Sequence, residues 1–352
     1  MFGRMMNNYY YGKSGKGDFR KEDLPQNRKE LFSATLRTRL SALFRINLMY
    51  MLIFLPMMIM LMYFGTTGIQ VMSQAVQIET NDYAAYTESM KAAEQEVRIS
   101  EEEYNKLKAD GFDYRAYAES LIFRMLIWLI PCFAITGPFT AGLSYVTRNW
   151  ARDEHAFIWT DFKDAMKANW KQSLVLSVIT SVLPMLIYVG WTYYGKVAEQ
   201  NMILIVPQAL VVLVGLIWAI SITYMHPLAV TYELKMKDVI RNGLLLGVAR
   251  LPMSVGIRLL HCIPLAIGAA VFLLWNPMFG MLGLFGYYFL IGFALSRFVT
   301  ASYTNAVFDK YINSRIEGTK VEHGIYHAEE DEDEDEGDAI GGQETAGGEE
   351  ES

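Results

Sequence analysis

The sequence predicts an all-α fold, a polytopic transmembrane helical bundle of about six spans. A spanning helix needs roughly 20 mostly apolar residues, because each adds about 1.5 Å across a hydrocarbon core about 30 Å thick. A soluble helix of that length needs a polar face. Five stretches contain no Asp, Glu, Lys or Arg at all: 46–78, 125–147, 172–195, 200–232 and 259–296. Each is expected to lie in lipid, and the last is long enough for two spans.

Residues 1–45 are predicted to form a cytoplasmic basic arm that ends in an amphipathic helix. Its apolar residues fall near one helical stripe flanked by arginines: Leu31, Phe32, Leu36, Leu40 and Leu43. Such a helix can lie in the membrane interface against anionic lipids.

The membrane domain is predicted over residues 46–312. Its spans are placed near residues 46–69, 121–145, 174–194, 202–224, 255–275 and 279–298. The extracytoplasmic loop 73–119 is expected to be mostly helical, because Ser100 and Glu103 fit a capping box and Gly111 suits a helix stop. Asn276-Pro277 predicts a tight break between the last two spans.

A repeat of three helical hairpins is a further hypothesis. Each odd-numbered span follows a short basic amphipathic stretch, predicted as an interfacial helix, and carries a proline after an aliphatic residue: Pro56, Pro184 and Pro264. Internal repeats are common in membrane folds. Chance similarity is the alternative, since the spacings drift by several residues.

The distribution of Lys and Arg predicts that both termini are cytoplasmic. Residues 1–45 carry ten basic residues, and loops 147–172 and 233–258 carry five each. The long loop 73–119 also carries five, but at lower density and with eleven acids. Cytoplasmic loops are enriched in Lys and Arg, so the plasma membrane would be crossed an even number of times.

Residues 313–352 are predicted to be a disordered acidic cytoplasmic tail. Thirteen acids lie between Glu329 and Glu351, and no Lys or Arg follows Lys320. The net charge of −7 therefore reports the tail, while the rest of the chain is basic. The tail either solvates the end of the chain or binds basic partner surfaces. Neither part supports nucleic-acid binding.

The segment from Gly137 to Leu143 is the first candidate functional segment. Gly137-Pro138 interrupts the second predicted span, and Ala141-Gly142 follows one turn later. Proline removes a backbone donor, and an interrupted helix can line a substrate site. The alternative is a packing kink, since glycines let another helix approach closely.

Two histidines at predicted membrane depth are the other candidates. His226, which precedes Pro227, and His261 lie within or at the edge of spans. Ionisable residues at this depth are functional candidates by default, whereas interface anchoring or a hydrogen bond between helices is the simpler alternative. Arg297 is expected to reach the headgroups from the inner end of its span. No catalytic, cofactor-binding or metal site is predicted, because ligand-type residues do not gather at suitable spacing.

Around Gly137–Leu143 the chain resembles the YesL family of bacterial membrane proteins, a domain of unknown function. The other similar stretches are the aromatic-glycine run Tyr9–Gly12 and the loop from Phe157 to Asn169. The resemblance covers residues 1 to about 312 and excludes the acidic tail. Members are often encoded beside carbohydrate uptake systems and glycoside hydrolases. The resemblance therefore implies a role in sugar uptake or its regulation, and it supplies no catalytic residues.

The favoured hypothesis is a non-enzymatic accessory protein in the lipid bilayer, beside a membrane protein such as a sugar permease. The alternative is a small-solute transporter or channel with a path near the proline-broken helices. Against transport, almost no charged residue is expected deep in a span. A polar cavity near Gly137-Pro138 would favour transport, and a closed apolar bundle would favour the partner role. An intramembrane enzyme is the weakest hypothesis. The sequence predicts neither the substrate nor the oligomeric state.

Overall fold

A computed structural model describes residues 24–94 and 96–326. The helices in this part of the chain are α1 (Arg28–Thr80), α2 (Tyr83–Ala92), α3 (Glu101–Asp110), α4 (Tyr114–Ala134), α5 (Thr136–Trp150), α6 (Thr160–Ala198), α7 (Ile205–Thr231), α8 (Met236–Ala249), α9 (Leu251–Leu274), α10 (Pro277–Tyr287) and α11 (Phe293–Tyr311). A π-helical turn, Tyr288–Gly292, joins α10 to α11. Tyr9–Gly12 and the acids from Glu329 onward lie outside the described residues.

Six helical runs in the described chain are long and apolar enough to cross a membrane. They are 28–80, 114–134, 160–198, 202–231, 251–274 and 277–315. The all-α polytopic fold class is therefore confirmed. α6 and α7 form one helical hairpin and α9 and α10 another, while α4 packs on α6. The threefold repeat, the domain limits and the orientation of the termini stay predictions.

The first amphipathic stretch does not form a separate interfacial helix. α1 runs for 53 residues without a break, through the stretch, the first span and the start of the predicted loop. At 1.5 Å per residue it is about 80 Å long, far more than a bilayer core requires. Leu31 and Leu43 of the apolar stripe are buried within the protein. These two residues therefore pack against the chain itself, whereas Leu40 of the same stripe is exposed.

The stretch before the third span is also continuous with its span, since α6 begins at Thr160 and ends at Ala198. α8, the counterpart before the fifth span, is a separate helix that ends at Ala249. Of the three predicted interfacial helices, this is the one that forms a distinct element in the described chain.

The second predicted span is divided at Ile135. α4 ends at Ala134 and α5 begins at Thr136, so Pro138 lies in the first turn of α5. The first amides of a helix have no partner within it, and proline there removes no hydrogen bond. The interruption predicted near Gly137-Pro138 is present, but Pro138 begins the new helix and does not break an old one.

The long loop folds as predicted around two short helices. Ser100 and Glu103 form both bonds of the capping box at the start of α3, and Gly111 ends the helix with φ 71°. Tyr86, Met90 and Tyr104 form a small buried cluster between α2 and α3. The Tyr104 hydroxyl donates to the carbonyl oxygens of Ile78 and Asn81, which fastens this cluster to the end of α1.

The described chain divides into two compact units. The terminal unit comprises residues 24–41, 148–156 and 301–326, and the span unit comprises residues 42–147 and 157–300. In the terminal unit the Arg28 guanidinium donates to the buried Asp309 carboxylate at 2.8 Å, and Asn313 donates to the same carboxylate at 2.6 Å. The backbone amide of Glu322 also donates to Asp309, at 3.1 Å. This network joins the start of α1 to the residues after α11.

Candidate functional site

The site in the span unit begins with Asn47, which is fully buried on α1. Its amide nitrogen donates to the carbonyl oxygens of Tyr288 at 2.9 Å and Phe289 at 2.8 Å. Its amide oxygen accepts from the backbone nitrogen of Ala294 at 2.9 Å. A π-helical turn disturbs the regular ladder of backbone bonds, and such turns occur frequently at functional sites. Asn47 supplies the partners that keep this turn in place.

α5 contributes a short column of hydroxyl groups next to the break at Ile135. The Tyr50 hydroxyl of α1 lies 2.6 Å from the Thr140 hydroxyl in a buried hydrogen bond. Thr140 itself donates to the carbonyl oxygen of Thr136 at 2.9 Å. Thr136 and Thr140 are both buried, so these hydroxyls face the protein interior and not lipid.

Gly137 and Gly142 bring α5 against α6. A Cβ atom at Gly137 would overlap the backbone carbonyl of Ser173, and one at Gly142 would lie 2.6 Å from the carbonyl oxygen of Phe162. Small residues permit this close approach between membrane helices. Ala141, fully buried between them in sequence, packs in the same region. The segment therefore holds the hydroxyl-bearing start of α5 against the bundle.

His226 and Pro227 lie together near the end of α7. His226 is 3% exposed, and its Nδ1 atom has no hydrogen-bond partner among the described residues. Pro227 lacks the amide that would bond to the carbonyl oxygen of Thr223, one turn earlier. The buried Thr223 hydroxyl is likewise without a partner in the described chain. α7 therefore presents several unsatisfied polar groups on one face.

α9 and α11 contribute the cationic side chains of the site. His261 Nε2 lies 3.1 Å from the carbonyl oxygen of Ser296, which joins the two helices. Arg258 on α9 and Arg297 on α11 line one cavity together with this histidine. Neither guanidinium forms an ion pair with any residue that the structure describes, and the Nε atom of Arg258 is buried without a hydrogen-bond partner there.

These groups enclose one polar cavity of about 280 Å³. Each of the six candidate spans in the described chain contributes to its wall. The polar lining consists of nine hydroxyl side chains with two histidines and two arginines: Tyr50, Thr136, Thr140, Ser177, Thr180, Thr223, His226, Arg258, His261, Tyr288, Ser296, Arg297 and Thr300. Five apolar residues complete it: Phe54, Phe133, Ile222, Gly292 and Phe293. Among the described residues, no carboxylate lines it.

An apolar groove of about 640 Å³ lies beside this cavity. It is bounded by α4, α6 and α7 and is lined by side chains such as Leu126, Leu183 and Trp191. Thr180, Ile222 and Arg258 belong to both walls. The Thr180 hydroxyl also accepts a hydrogen bond from the Trp218 indole at 3.0 Å, which fixes one part of the shared wall.

Of the residues singled out from the sequence, His226 and His261 line the cavity. Gly137, Pro138, Ala141 and Gly142 do not, although Thr136 and Thr140 beside them do. The expectation that Arg297 extends to the headgroups is wrong, since its side chain lines the cavity. The sequence does not single out three further residues of this site: Asn47, Tyr50 and Arg258. Arg258 lies one helical turn before His261, and that spacing was the available signal.

The fold and this cavity define a polytopic α-helical protein with a cationic, hydroxyl-lined chamber between its spans. Residues 119–191 match a family described as "Protein of unknown function, DUF624". The chain is also similar to the uncharacterised protein YesV of Bacillus subtilis (strain 168). The two are 27% identical over 144 residues, which cover 39% of this chain and 67% of YesV. No solved structure matches the chain. The matched residues include α5 and most of α6, two helices that line the cavity.

Proposed function

We propose that this chain is a multi-pass membrane protein that binds a small polar solute between its spans, as a step in moving that solute across the bilayer. The polar cavity supports this proposal most directly. Burying a hydroxyl, imidazole or guanidinium in a bilayer is costly, and such groups usually mark a substrate or ion path. Here thirteen of them converge, from five of the six candidate spans in the described chain and from α5, while span 114–134 contributes Phe133.

The position of the cavity further favours binding over a purely structural role. Interrupted helices at membrane depth are tolerated where they line a cavity. The break at Ile135 and the π turn Tyr288–Gly292 both adjoin residues of the wall. The size of about 280 Å³ suits a small metabolite better than a polymer or a folded partner. The proposal assigns no catalytic step to the chain.

Binding can be tested with purified protein in phosphatidylcholine nanodiscs. The probes are glucose, lactate and inorganic phosphate, and the readout is the shift in thermal unfolding measured by intrinsic fluorescence. At least one probe should stabilise the wild type in a saturable manner. The substitution T223V removes an unsatisfied hydroxyl from the wall and should weaken the binding by about three- to tenfold, the value of one hydrogen bond.

The matched control is T66V, which removes an exposed hydroxyl on α1 that is outside the cavity wall. It should bind like the wild type. Uptake of the radiolabelled solute into proteoliposomes then tests the transport step. If none of the probes binds, or if T223V and T66V behave alike, solute binding in this cavity is contradicted.

The accessory role beside a sugar permease in the plasma membrane is the second candidate. The hairpin tip between α9 and α10 supports it, because Leu274 is 86% exposed, Trp275 76% and Met278 67%. Such an apolar tip suits contact with lipid or with another membrane protein. The family resemblance to YesL supplies the carbohydrate link. Affinity purification from the native membrane tests this role. A permease should remain bound to the wild type after detergent extraction, and this binding should be lost in W275S.

The proposed topology, with both termini in the cytoplasm, has its own test. Single cysteines placed near residue 24 and residue 326 should resist a membrane-impermeant thiol reagent in intact cells and react after lysis. A cysteine in the loop between α2 and α3 should react in intact cells. Labelling of the two termini from opposite sides would contradict the even number of spans.

A further inference from the structure

We infer that the cavity recognises an oxyanion, a carboxylate or a phosphate group of its solute, through Arg258 and Arg297. This inference rests on the proposed function, because it names the chemical class that the same cavity would bind. It concerns two residues that line the same cavity from different spans, α9 and α11.

The charges of Arg258 and Arg297 favour an anion as the ligand. Arg258 and Arg297 both line the cavity, and no carboxylate in the described lining balances their charges. Other arginines in the described chain do have partners: Arg28 pairs with Asp309, Arg115 with Glu119 and Arg152 with Glu154. Neighbouring like charges with little solvent around them raise the free energy of the empty cavity. A bound anion offsets this cost, whereas a cation would increase it.

The shape of the guanidinium group further favours an oxyanion. The planar guanidinium group donates two parallel hydrogen bonds to a carboxylate or a phosphate, which makes arginine the preferred residue for oxyanions. The buried Nε atom of Arg258 and the Thr223 hydroxyl have no partner in the described structure, and both residues line the cavity. The remaining hydroxyl groups of the wall suit the polar atoms of a small solute. A neutral solute would need the hydroxyls but not two arginines.

The oxyanion has two possible sources. One is a dissolved metabolite, and the other is the phosphate of a lipid headgroup. The apolar groove makes the second source testable, because Arg258, Thr180 and Ile222 belong to both the groove and the cavity. A lipid with its phosphate at Arg258 would have space for an acyl chain in the groove.

The experiment compares R258Q and R297Q with the wild type in phosphatidylcholine nanodiscs. Lactate and inorganic phosphate are the anionic probes, and glucose is the neutral probe. An anion should bind the wild type, and each substitution should weaken that binding by at least tenfold, as expected for a charged hydrogen bond. R258K keeps the charge but not the planar fork, so its loss should be smaller.

The matched control is R124Q, because Arg124 is an exposed arginine on α4 that lies outside both cavity walls. It should bind the anion like the wild type. Elution as a single species in size-exclusion chromatography establishes that each variant is folded. If R258Q or R297Q were not folded, R258K would still test the inference, because equal affinity of R258K and the wild type would contradict recognition by the fork.

The lipid headgroup as the source of the oxyanion is tested by native mass spectrometry of protein purified from vesicles that contain phosphatidylglycerol. A retained phosphatidylglycerol that is lost in R258Q supports the oxyanion but contradicts a dissolved solute. Binding of glucose alone, or equal anion affinity in R258Q and the wild type, overturns the oxyanion and leaves the solute-binding function. If neither the dissolved probes nor the lipid bind, both proposals fail.

Discussion

Arg28 in the terminal unit donates to Asp309 at 2.8 Å, whereas Arg258 and Arg297 in the span unit face a cavity without a carboxylate in its described wall. The same side chain therefore serves two purposes in one molecule. In the terminal unit its charge is balanced within the chain, and the pair fastens the start of α1 to α11. At Arg258 and Arg297 in the span unit, no carboxylate of the described cavity wall balances the charge. A positive charge that the fold does not balance is available to a ligand, and the fold gains no stability from it.

The largest expected effect concerns Asn47, which supports the wall of the cavity. Substitution N47L removes the three buried hydrogen bonds that Asn47 makes to the backbone of Tyr288, Phe289 and Ala294. The unfolding free energy should fall by about 3 kcal/mol, because each of the three hydrogen bonds contributes about 1 kcal/mol. Anion binding should also be lost, since the π turn carries Tyr288 and Gly292 of the wall. Denaturant titration in mixed micelles measures the first effect.

The terminal unit offers the control for that prediction. Asn305 is also buried, but it makes a single bond of 3.3 Å to the carbonyl oxygen of Arg148. Substitution N305L should therefore cost only about 1 kcal/mol, the usual contribution of one hydrogen bond. An equal cost for N47L and N305L would show that Asn47 does not hold the π turn.

The next effect tests the balanced arginine. Substitution R28M leaves the carboxylate of Asp309 buried without its cation, although Asn313 and the amide of Glu322 still donate to it. Because the Arg28 side chain is 31% exposed, water screens part of the interaction, and the loss should be about 1–2 kcal/mol. K29M is the control, since Lys29 is exposed on the same turn and should be neutral. A neutral R28M would contradict the structural role of the pair.

The smallest effect is expected at the outer edge of the same network. The Glu322 carboxylate lies 3.5 Å from the Arg28 guanidinium, and its side chain is 45% exposed. Exposed ion pairs contribute about 0–1 kcal/mol, so E322Q should lower the unfolding free energy by about 0.5 kcal/mol or less. The change should disappear in high salt, where exposed charges are screened. A loss as large as that of R28M would mean that Glu322, and not Asp309, balances Arg28.

Much of the fold follows from the sequence, because lipid imposes a strong and simple rule. A stretch that crosses the hydrocarbon core excludes charge over roughly 20 residues, and the five charge-free stretches therefore indicate the candidate spans. The capping box at Ser100 was also predictable, since it depends on neighbours three residues apart. The continuity of α1 was not predictable, because a basic amphipathic stretch has the same sequence pattern whether it lies on lipid or packs against the chain.

The site was less predictable, because it depends on which side chains meet. His226 and His261 stood out as ionisable groups at membrane depth. Arg258 and Arg297 stand near the ends of charge-free stretches, where an arginine that reaches the headgroups looks the same as one that faces inward. Whether such a residue has a carboxylate partner is a property of packing between distant helices. Asn47 and Tyr288 of the π turn are 241 residues apart in sequence, so no local sequence pattern predicts the hydrogen bond between them.

The most direct test of the account compares the unfolding free energy of R28M with that of the double variant R258M/R297M, both without added anion. R28M should be destabilised by about 1–2 kcal/mol. The double variant should be as stable as the wild type or more stable by about 1 kcal/mol, because it relieves repulsion between two uncompensated charges. If the double variant is destabilised as much as R28M, the two arginines are part of the structural framework, and the cavity is not reserved for an anion.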